Sequence, residues 1–130
     1  MKANVPPLLL LAHVLLFVPI GGHAGEISGV YGKIERDQKS GDFTGTTFHI
    51  MRSNAGFFVA YRCASGEIAP PVLLKAVVEK QKISFVVPDS FKFFCHFGKF
   101  EGTFSDSALI GRFTDGSKKE LVLKKYFTTE

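Results

Sequence analysis

The chain has 130 residues and a modest positive balance of 16 lysines and arginines against 12 aspartates and glutamates. An excess this small, scattered along the chain, lacks the basic patch that nucleic-acid binding requires, so we expect no nucleic-acid partner. The length suits one domain with a single hydrophobic core.

The first 24 residues have the pattern of a secretory signal peptide. Lys2 supplies a positive start, an apolar run extends from Leu8 to Val18, and small residues lead up to Ala24, so we predict cleavage after Ala24. The apolar run is shorter than the roughly 20 residues that cross a bilayer, so we expect no stable membrane span after signal removal. The alternative is an uncleaved N-terminal anchor helix. Export predicts a periplasmic or secreted protein, in a compartment that permits disulfides.

Residues 25–130 are predicted to form one all-β domain. Runs rich in Val, Ile, Phe, Tyr and Thr alternate with short clusters of Gly, Asp, Asn, Ser and Pro, which is typical of an antiparallel meander. The apolar spacing and caps of an amphipathic helix are missing. We predict eight strands, at residues 27–36, 43–53, 57–65, 72–80, 82–88, 91–104, 109–114 and 119–127.

Alternating side chains give each predicted strand one core-facing side, such as Phe57, Tyr61 and Cys63 in the third strand. An open sheet would leave this apolar side in water, at a cost on the order of 25 cal/mol per Å². We therefore expect an eight-stranded antiparallel up-and-down meander closed into a small barrel, which also removes both free edges. A two-sheet β-sandwich is the alternative. Bending at glycines inside strands favours the barrel, and these are Gly45, Gly102 and Gly111.

The two cysteines of the predicted domain, Cys63 and Cys95, fall on core-facing positions near the same end of the barrel. A disulfide requires Cα atoms within about 7 Å, whereas strands three apart in a round barrel are nearly opposite. A bridge would therefore require the barrel to be flattened or plugged there. If formed, it closes a loop of about thirty residues and stabilises the fold by about 3 to 4 kcal/mol. The alternative is two buried thiols that act as small hydrophobic side chains.

Motifs that carry chemistry are not recognisable in the predicted domain. Its histidines are His49 and His96, and we expect both at exposed or rim positions. The chain has no Gly-x-Ser-x-Gly elbow, no paired metal-ligand spacing and no phosphate-binding loop before a helix. We therefore expect no catalytic residues, no metal and no cofactor.

Phenylalanine is unusually abundant, with 14 residues against three tyrosines and no tryptophan. Residues 91–104 hold more phenylalanines than a single inward face can use. Either a bulge near Gly98 resets the alternation and the rings pack in the core, or some form an exposed apolar patch that binds a partner or a small apolar ligand. The predicted inward set is large enough to fill the interior, and it consists of Phe57, Tyr61, Phe85, Phe91, Phe93 and Phe113. The candidate ligand-binding residues are Phe57, Tyr61, Phe85, Phe93 and Phe113.

Several short turn and strand motifs are spread across the predicted domain, including Gly29-Val-Tyr31, Ser40-Gly41-Asp42, Ile83-Ser-Phe-Val-Val-Pro88 and Gly98-x-Phe-x-Gly102. Their layout resembles that of small, uncharacterised exported β-barrel proteins, whose domains have no assigned function. The resemblance implies a lipocalin-like barrel without an active site. The segment Tyr61-Arg-Cys-Ala-Ser-Gly66 is also similar to the Tyr-x-Cys-x-x-Gly of exported lysozyme-inhibitor barrels.

Three functions remain open from the sequence. The first is a noncatalytic exported barrel that binds a small apolar ligand or an envelope component such as an envelope protein, since eight strands leave room for packed side chains or one small ligand. The second is a protein-binding or inhibitory module, such as an inhibitor of an exported hydrolase, acting through loops of which Ser65–Pro71 is the longest. The third is a hydrolase with an unrecognised site. A lined cavity would favour a ligand, and a solid interior with an exposed aromatic patch would favour a protein partner.

Overall fold

The computed structural model describes residues 27–115 and 119–126. The predicted signal peptide, residues 1–24, lies outside these ranges, as does the last residue of the predicted eighth strand. The described chain forms eight strands: β1 (Gly29–Arg36), β2 (Phe43–Ser53), β3 (Gly56–Ile68), β4 (Val72–Glu79), β5 (Lys82–Val87), β6 (Gly98–Phe104), β7 (Ala108–Phe113) and β8 (Leu121–Tyr126).

The strands form one closed antiparallel barrel. Each strand pairs with the next along the chain. β1 completes the ring by pairing with β8 at Val30–Tyr126 and Tyr31–Lys125. The predicted eight-stranded up-and-down barrel is confirmed, and the two-sheet sandwich is wrong because the ring of strand pairs is continuous.

Side-chain direction follows the predicted alternation, as β3 illustrates. Val59, Tyr61 and Cys63 are buried, whereas Arg62 between them is exposed. Because successive side chains of a strand point to opposite sides of the sheet, the buried set lies inside the barrel.

Two of the strand junctions are short, and both are paired at the same end of the barrel. β1 meets β8 only at the two pairs given above, and β4 meets β5 only from Val77–Ser84 to Glu79–Lys82. The ladder between β1 and β8 stops at Gly32, whose φ of 78° takes the backbone out of the extended region. The ring is therefore two four-stranded sheets, β1–β4 and β5–β8, whose ladders join at one end. We call this the closed end, and the opposite end, which carries the connections after β1, β3, β5 and β7, the open end.

The predicted sixth strand, at residues 91–104, is wrong in its first half, because β6 begins at Gly98. Pro88 has no backbone N–H and cannot continue the ladder of β5, and a single 3-10 turn follows at Asp89–Phe91. Gly98 has a φ of 85°, so the alternation restarts there and both Phe100 and Phe104 are buried. Residues 88–97 thus form a separate segment between β5 and β6.

The interior is packed with aromatic rings around Phe48. The Phe48 ring centroid lies 4.9 Å from that of Phe100 and 5.1 Å from that of Phe85. Gly102 pairs with Gly111 beside the Phe100 ring, and a Cβ on Gly102 would lie 2.7 Å from that ring. These two glycines therefore make room for a phenylalanine at the centre of the barrel.

Candidate functional site

The segment between β5 and β6, residues 88–97, closes the open end, and we call it the cap. Its backbone is held by local hydrogen bonds: the Phe91 amide donates to the Pro88 carbonyl at 3.0 Å, and the Lys92 amide donates to the Asp89 carbonyl at 3.0 Å. The Cys95 amide then donates to the Phe91 carbonyl at 2.8 Å. The cap is therefore a series of tight turns rather than a strand.

Apolar side chains and a disulfide fasten the cap to the barrel interior. Phe91, Cys95 and Phe97 pack against the core. Cys95 forms a disulfide with Cys63 of β3, with the two Cα atoms 6.1 Å apart. The predicted bridge is thus confirmed, and the alternative of two free thiols is wrong. The bridge is possible because Cys95 lies on a segment that crosses the end of the barrel, and not on a strand of the opposite wall. The cap thus plugs the barrel, which is one of the two arrangements that the sequence predicted a bridge would need.

Polar contacts fix the cap on both sides of the barrel. On one side the Tyr61 hydroxyl of β3 donates to the His96 carbonyl at 3.1 Å. On the other side the His96 ring Nδ1 lies 3.0 Å from Asp115 Oδ2, and the ring stacks on Phe113 of β7 with centroids 5.3 Å apart. Since β3 and β7 are four strands apart in a ring of eight, the cap spans the barrel from one wall to the other.

Burial determines the chemistry of these polar groups. Tyr61 is fully buried, which raises the pKa of its phenol well above the ordinary value, and the Asp115 carboxylate raises that pKa further. The hydroxyl is therefore a neutral hydrogen-bond donor. The Asp115 side chain is only 9% exposed and lies against the His96 ring, which is 34% exposed. This geometry orients the imidazole and holds the cap in place.

Two phenylalanines of the cap point into solvent, and we call them the Phe tip: Phe93, 80% exposed, and Phe94, 65% exposed. The Lys92 ammonium lies 4.9 Å from the centroid of the Phe93 ring, so its charge is beside the tip. The prediction that Phe93 points inward is wrong, because the strand alternation on which it rested does not exist in the cap. The Phe tip is therefore an exposed aromatic patch of the kind that the abundance of phenylalanine in residues 91–104 predicted as one alternative.

The other predicted ligand-binding residues fill the interior instead of lining an open cup. Tyr61, Phe85 and Phe113 are each at most 3% exposed, and Phe57 is partly buried at the edge of the core. Tyr61 and Phe113 have ring centroids 6.0 Å apart, so these side chains contact one another. Phe48, the central ring, is absent from the predicted set, although its alternation with Ile50 in β2 is the signal that could have identified it.

A groove of about 670 Å³ lies on the outer surface of β4–β7. Its lining mixes acidic, basic and apolar side chains, among them Glu79, Lys82, Glu101, Ile110 and Arg112. Such a mixed lining, open to solvent, differs from the enclosed pockets that bury most of the surface of a small-molecule ligand.

No group of three or more His, Cys, Asp or Glu side chains positioned for a metal ion occurs among residues 27–115 and 119–126. Within the same ranges, no helix has the length and hydropathy needed to cross a bilayer. Comparison of the chain with protein-family models, with curated proteins and with solved structures gave no match. The disulfide indicates an oxidising, non-cytoplasmic compartment.

Proposed function

We propose that the protein is an exported, noncatalytic protein-binding module that inserts the Phe tip into an apolar cleft of a partner protein. The observation that carries this proposal is the exposure of Phe93 and Phe94, 80% and 65%, on a segment fastened by a disulfide. Large apolar side chains on the surface of a folded domain mark interaction sites when they are adjacent.

The filled interior favours a protein partner over a small apolar ligand. Phe48, Phe85 and Phe100 occupy the centre of the barrel with ring centroids 4.9 to 5.1 Å apart. A ligand of drug size needs a cavity of roughly 300 to 1,000 Å³. Binding one here would require several buried rings to move.

The size of the Phe tip sets the demands on the partner. A phenylalanine side chain buries about 200 Å², so exposures of 80% and 65% leave roughly 290 Å² for a partner to cover. At about 25 cal/mol per Å², covering this area gains roughly 7 kcal/mol. Association itself costs about 4 to 15 kcal/mol, so burial of the two rings alone leaves little or no net binding free energy. The partner must therefore also contact the surface around the tip, with the phenylalanines as the central hot spot.

The anchoring of the cap supports the same function. A binding loop that is rigid before association loses less conformational entropy when the complex forms. Here the disulfide, the Tyr61 hydroxyl and the His96–Asp115 contact hold the tip in a defined position. A loop that served only to cover the core would have no need to direct two phenylalanine rings outward.

The compartment and the sequence resemblances make the partner class more specific. We propose a periplasmic or secreted location and a partner that is itself an envelope or exported protein. The segment similar to lysozyme-inhibitor barrels, Tyr61–Gly66, contains Cys63, the residue to which the cap is bridged. Inhibition of an exported hydrolase is therefore the form of protein binding that we favour, on a lipocalin-like barrel.

The test is capture of a partner from the exported proteins of the source organism by the mature, oxidised chain. We expect capture by the unaltered protein and loss of it in Phe93→Ser/Phe94→Ser. Val122→Ser is the matched control, because Val122 is 65% exposed but belongs to β8 and not to the cap. Capture that is equal in both variants would contradict the role of the tip. Binding of a fatty acid or of lipid vesicles by the purified protein, without a captured protein, would contradict the protein partner.

A further inference from the structure

The junction between β4 and β5 is incomplete toward the open end. Its ladder stops at Val77–Ser84, so residues 72–76 of β4 and residues 85–87 of β5 have no register partner across the junction. Each of these stretches is paired on its other side, with β3 and with β6 respectively. We call the unpaired part of this junction the β4–β5 gap.

The alternation of hydrogen bonding shows which backbone groups face the gap. The turn Lys80–Gln81 makes Glu79 and Lys82 the first hydrogen-bonded pair of the hairpin, so every second residue from this pair directs its N–H and C=O across the junction. The Gln81 carbonyl accepts from β6 at 2.8 Å, as this alternation requires. The groups that face the gap therefore belong to Leu73 and Lys75 of β4 and to Val86 of β5.

The surface beside the gap is apolar. Leu73 is 63% exposed, Val77 60% and Val86 61%, and all three side chains point outward. Lys75 is the one charged residue on the unpaired stretches. Charged residues are a common protection of strand edges against association, and this gap has few.

The junction between β1 and β8 is the natural comparison. Its unpaired part carries the ion pair of Lys33 with Glu35 and the exposed Lys124. This second gap therefore has the charges that oppose strand pairing, whereas the β4–β5 gap exposes aliphatic side chains.

We propose that the β4–β5 gap binds an extended segment of a partner protein by strand addition. Backbone N–H and C=O groups in a row are matched by the backbone of another strand, which supplies both donors and acceptors at the same spacing. Specificity comes from every second side chain of the added strand. Those that point outward lie beside Leu73 and Val86 and are apolar, and those that point inward are small because the core is filled.

The experiment has two stages, of which the first measures the gap in the free protein. We expect amide hydrogen exchange at Leu73, Lys75 and Val86 to be at least 100-fold faster than at Leu74 and Phe85, whose amides face the paired neighbours β3 and β6. Equal protection of the two sets would overturn the proposal, because the junction would then be closed.

The second stage adds the acetylated peptide Ile-Ser-Val-Ala-Val, whose side chains alternate between apolar on the outward face and small on the inward face. We expect saturating peptide to slow exchange at Leu73 and Lys75 at least tenfold. The control peptide has the same side chains but is N-methylated at alternate residues, which removes the donors on one edge, and we expect no slowing. Equal effects of the two peptides, or slowing confined to the β1–β8 junction, would overturn the proposal.

Matched variants separate this surface from the Phe tip. Leu73→Lys places a charge at the gap and is expected to abolish protection by the peptide, whereas Val122→Lys on the opposite junction leaves it unchanged. Phe93→Ser/Phe94→Ser also leaves peptide protection unchanged, because the tip lies on the cap. Loss of protection in the tip variant but not in Leu73→Lys would overturn the assignment to the gap, without bearing on partner capture by the tip.

Discussion

Removal of the disulfide is the most informative perturbation of the cap. The double variant Cys63→Ala/Cys95→Ala deletes a bridge between residues separated by 32 positions. For a closed loop of this size, the chain-entropy treatment gives a loss of about 3.7 kcal/mol in the free energy of unfolding. In a domain of about 100 residues, that corresponds to a fall in Tm of roughly 15 to 30 °C.

The location of the bridge makes a second, local effect measurable. Cys95 is followed directly by His96, whose carbonyl and ring hold the cap to Tyr61 and Asp115. Without the bridge these contacts and the packing of Phe91 are what keep the cap in place. We expect amide exchange to rise in residues 88–97 by more than the global loss of stability accounts for. Urea unfolding of the oxidised and the bridgeless protein, with residue-resolved hydrogen exchange on both, measures the two effects.

Two results would refute this reasoning. A stability loss below about 1 kcal/mol would mean that the bridge restrains the unfolded chain far less than its loop length implies. Uniform acceleration of exchange across all strands, with no excess in residues 88–97, would mean that the cap is not held by the bridge. The reduced unaltered protein serves as the control, because it lacks the bridge but keeps both sulfur atoms.

Three further predictions concern the core. Gly111→Ala places a Cβ 2.5 Å from the Phe100 ring and is expected to lower the free energy of unfolding, in urea, by about 1 to 3 kcal/mol. Phe48→Ala removes a fully buried ring and is expected to lower it by about 3 to 5 kcal/mol, against less than about 0.5 kcal/mol for Phe94→Ala. Burial raises the pKa of Tyr31 to about 12. Because the folded-state pKa is raised, this contribution to stability is fully present below pH ~10 and is lost, up to about 2 kcal/mol, as pH rises to ~12. Urea unfolding at each pH should show a shallower decline in Tyr31→Phe.

The barrel could be predicted from sequence because its signals are local and repeated. Alternation with a period of two fixes which side chains of β3 are inward, and clusters of turn residues separate the strands. The pairing of β1 with β8 follows from the need to cover one apolar face and two edges. The incomplete junctions could not be predicted, because which pairs form depends on backbone geometry at positions such as Gly32, with its φ of 78°.

The cap could not be read correctly from the same alternation. Phe91, Phe93, Cys95 and Phe97 occupy every second position, as in a strand, yet they belong to a series of turns. Two signals pointed to a break: a 14-residue strand would exceed the usual length of about 3 to 10 residues, and Pro88 and Gly98 bracket the cap. The spacing of apolar residues does not distinguish a strand from a tightly turned segment, and in the cap Phe91, Cys95 and Phe97 are partly buried whereas Phe93 is exposed.

The architecture of the barrel explains why the Phe tip is located on the cap. At the closed end the two sheets are joined by strand pairing, at Val30–Tyr126 and at Val77–Ser84. At the open end those ladders are absent, and the Cys63–Cys95 bridge links β3 of one sheet to the segment between β5 and β6 of the other. The cap therefore has two roles that demand the same rigidity. It ties the sheets together where hydrogen bonds do not, and it positions the Phe tip, so a change that loosens the tip should also widen the β4–β5 gap.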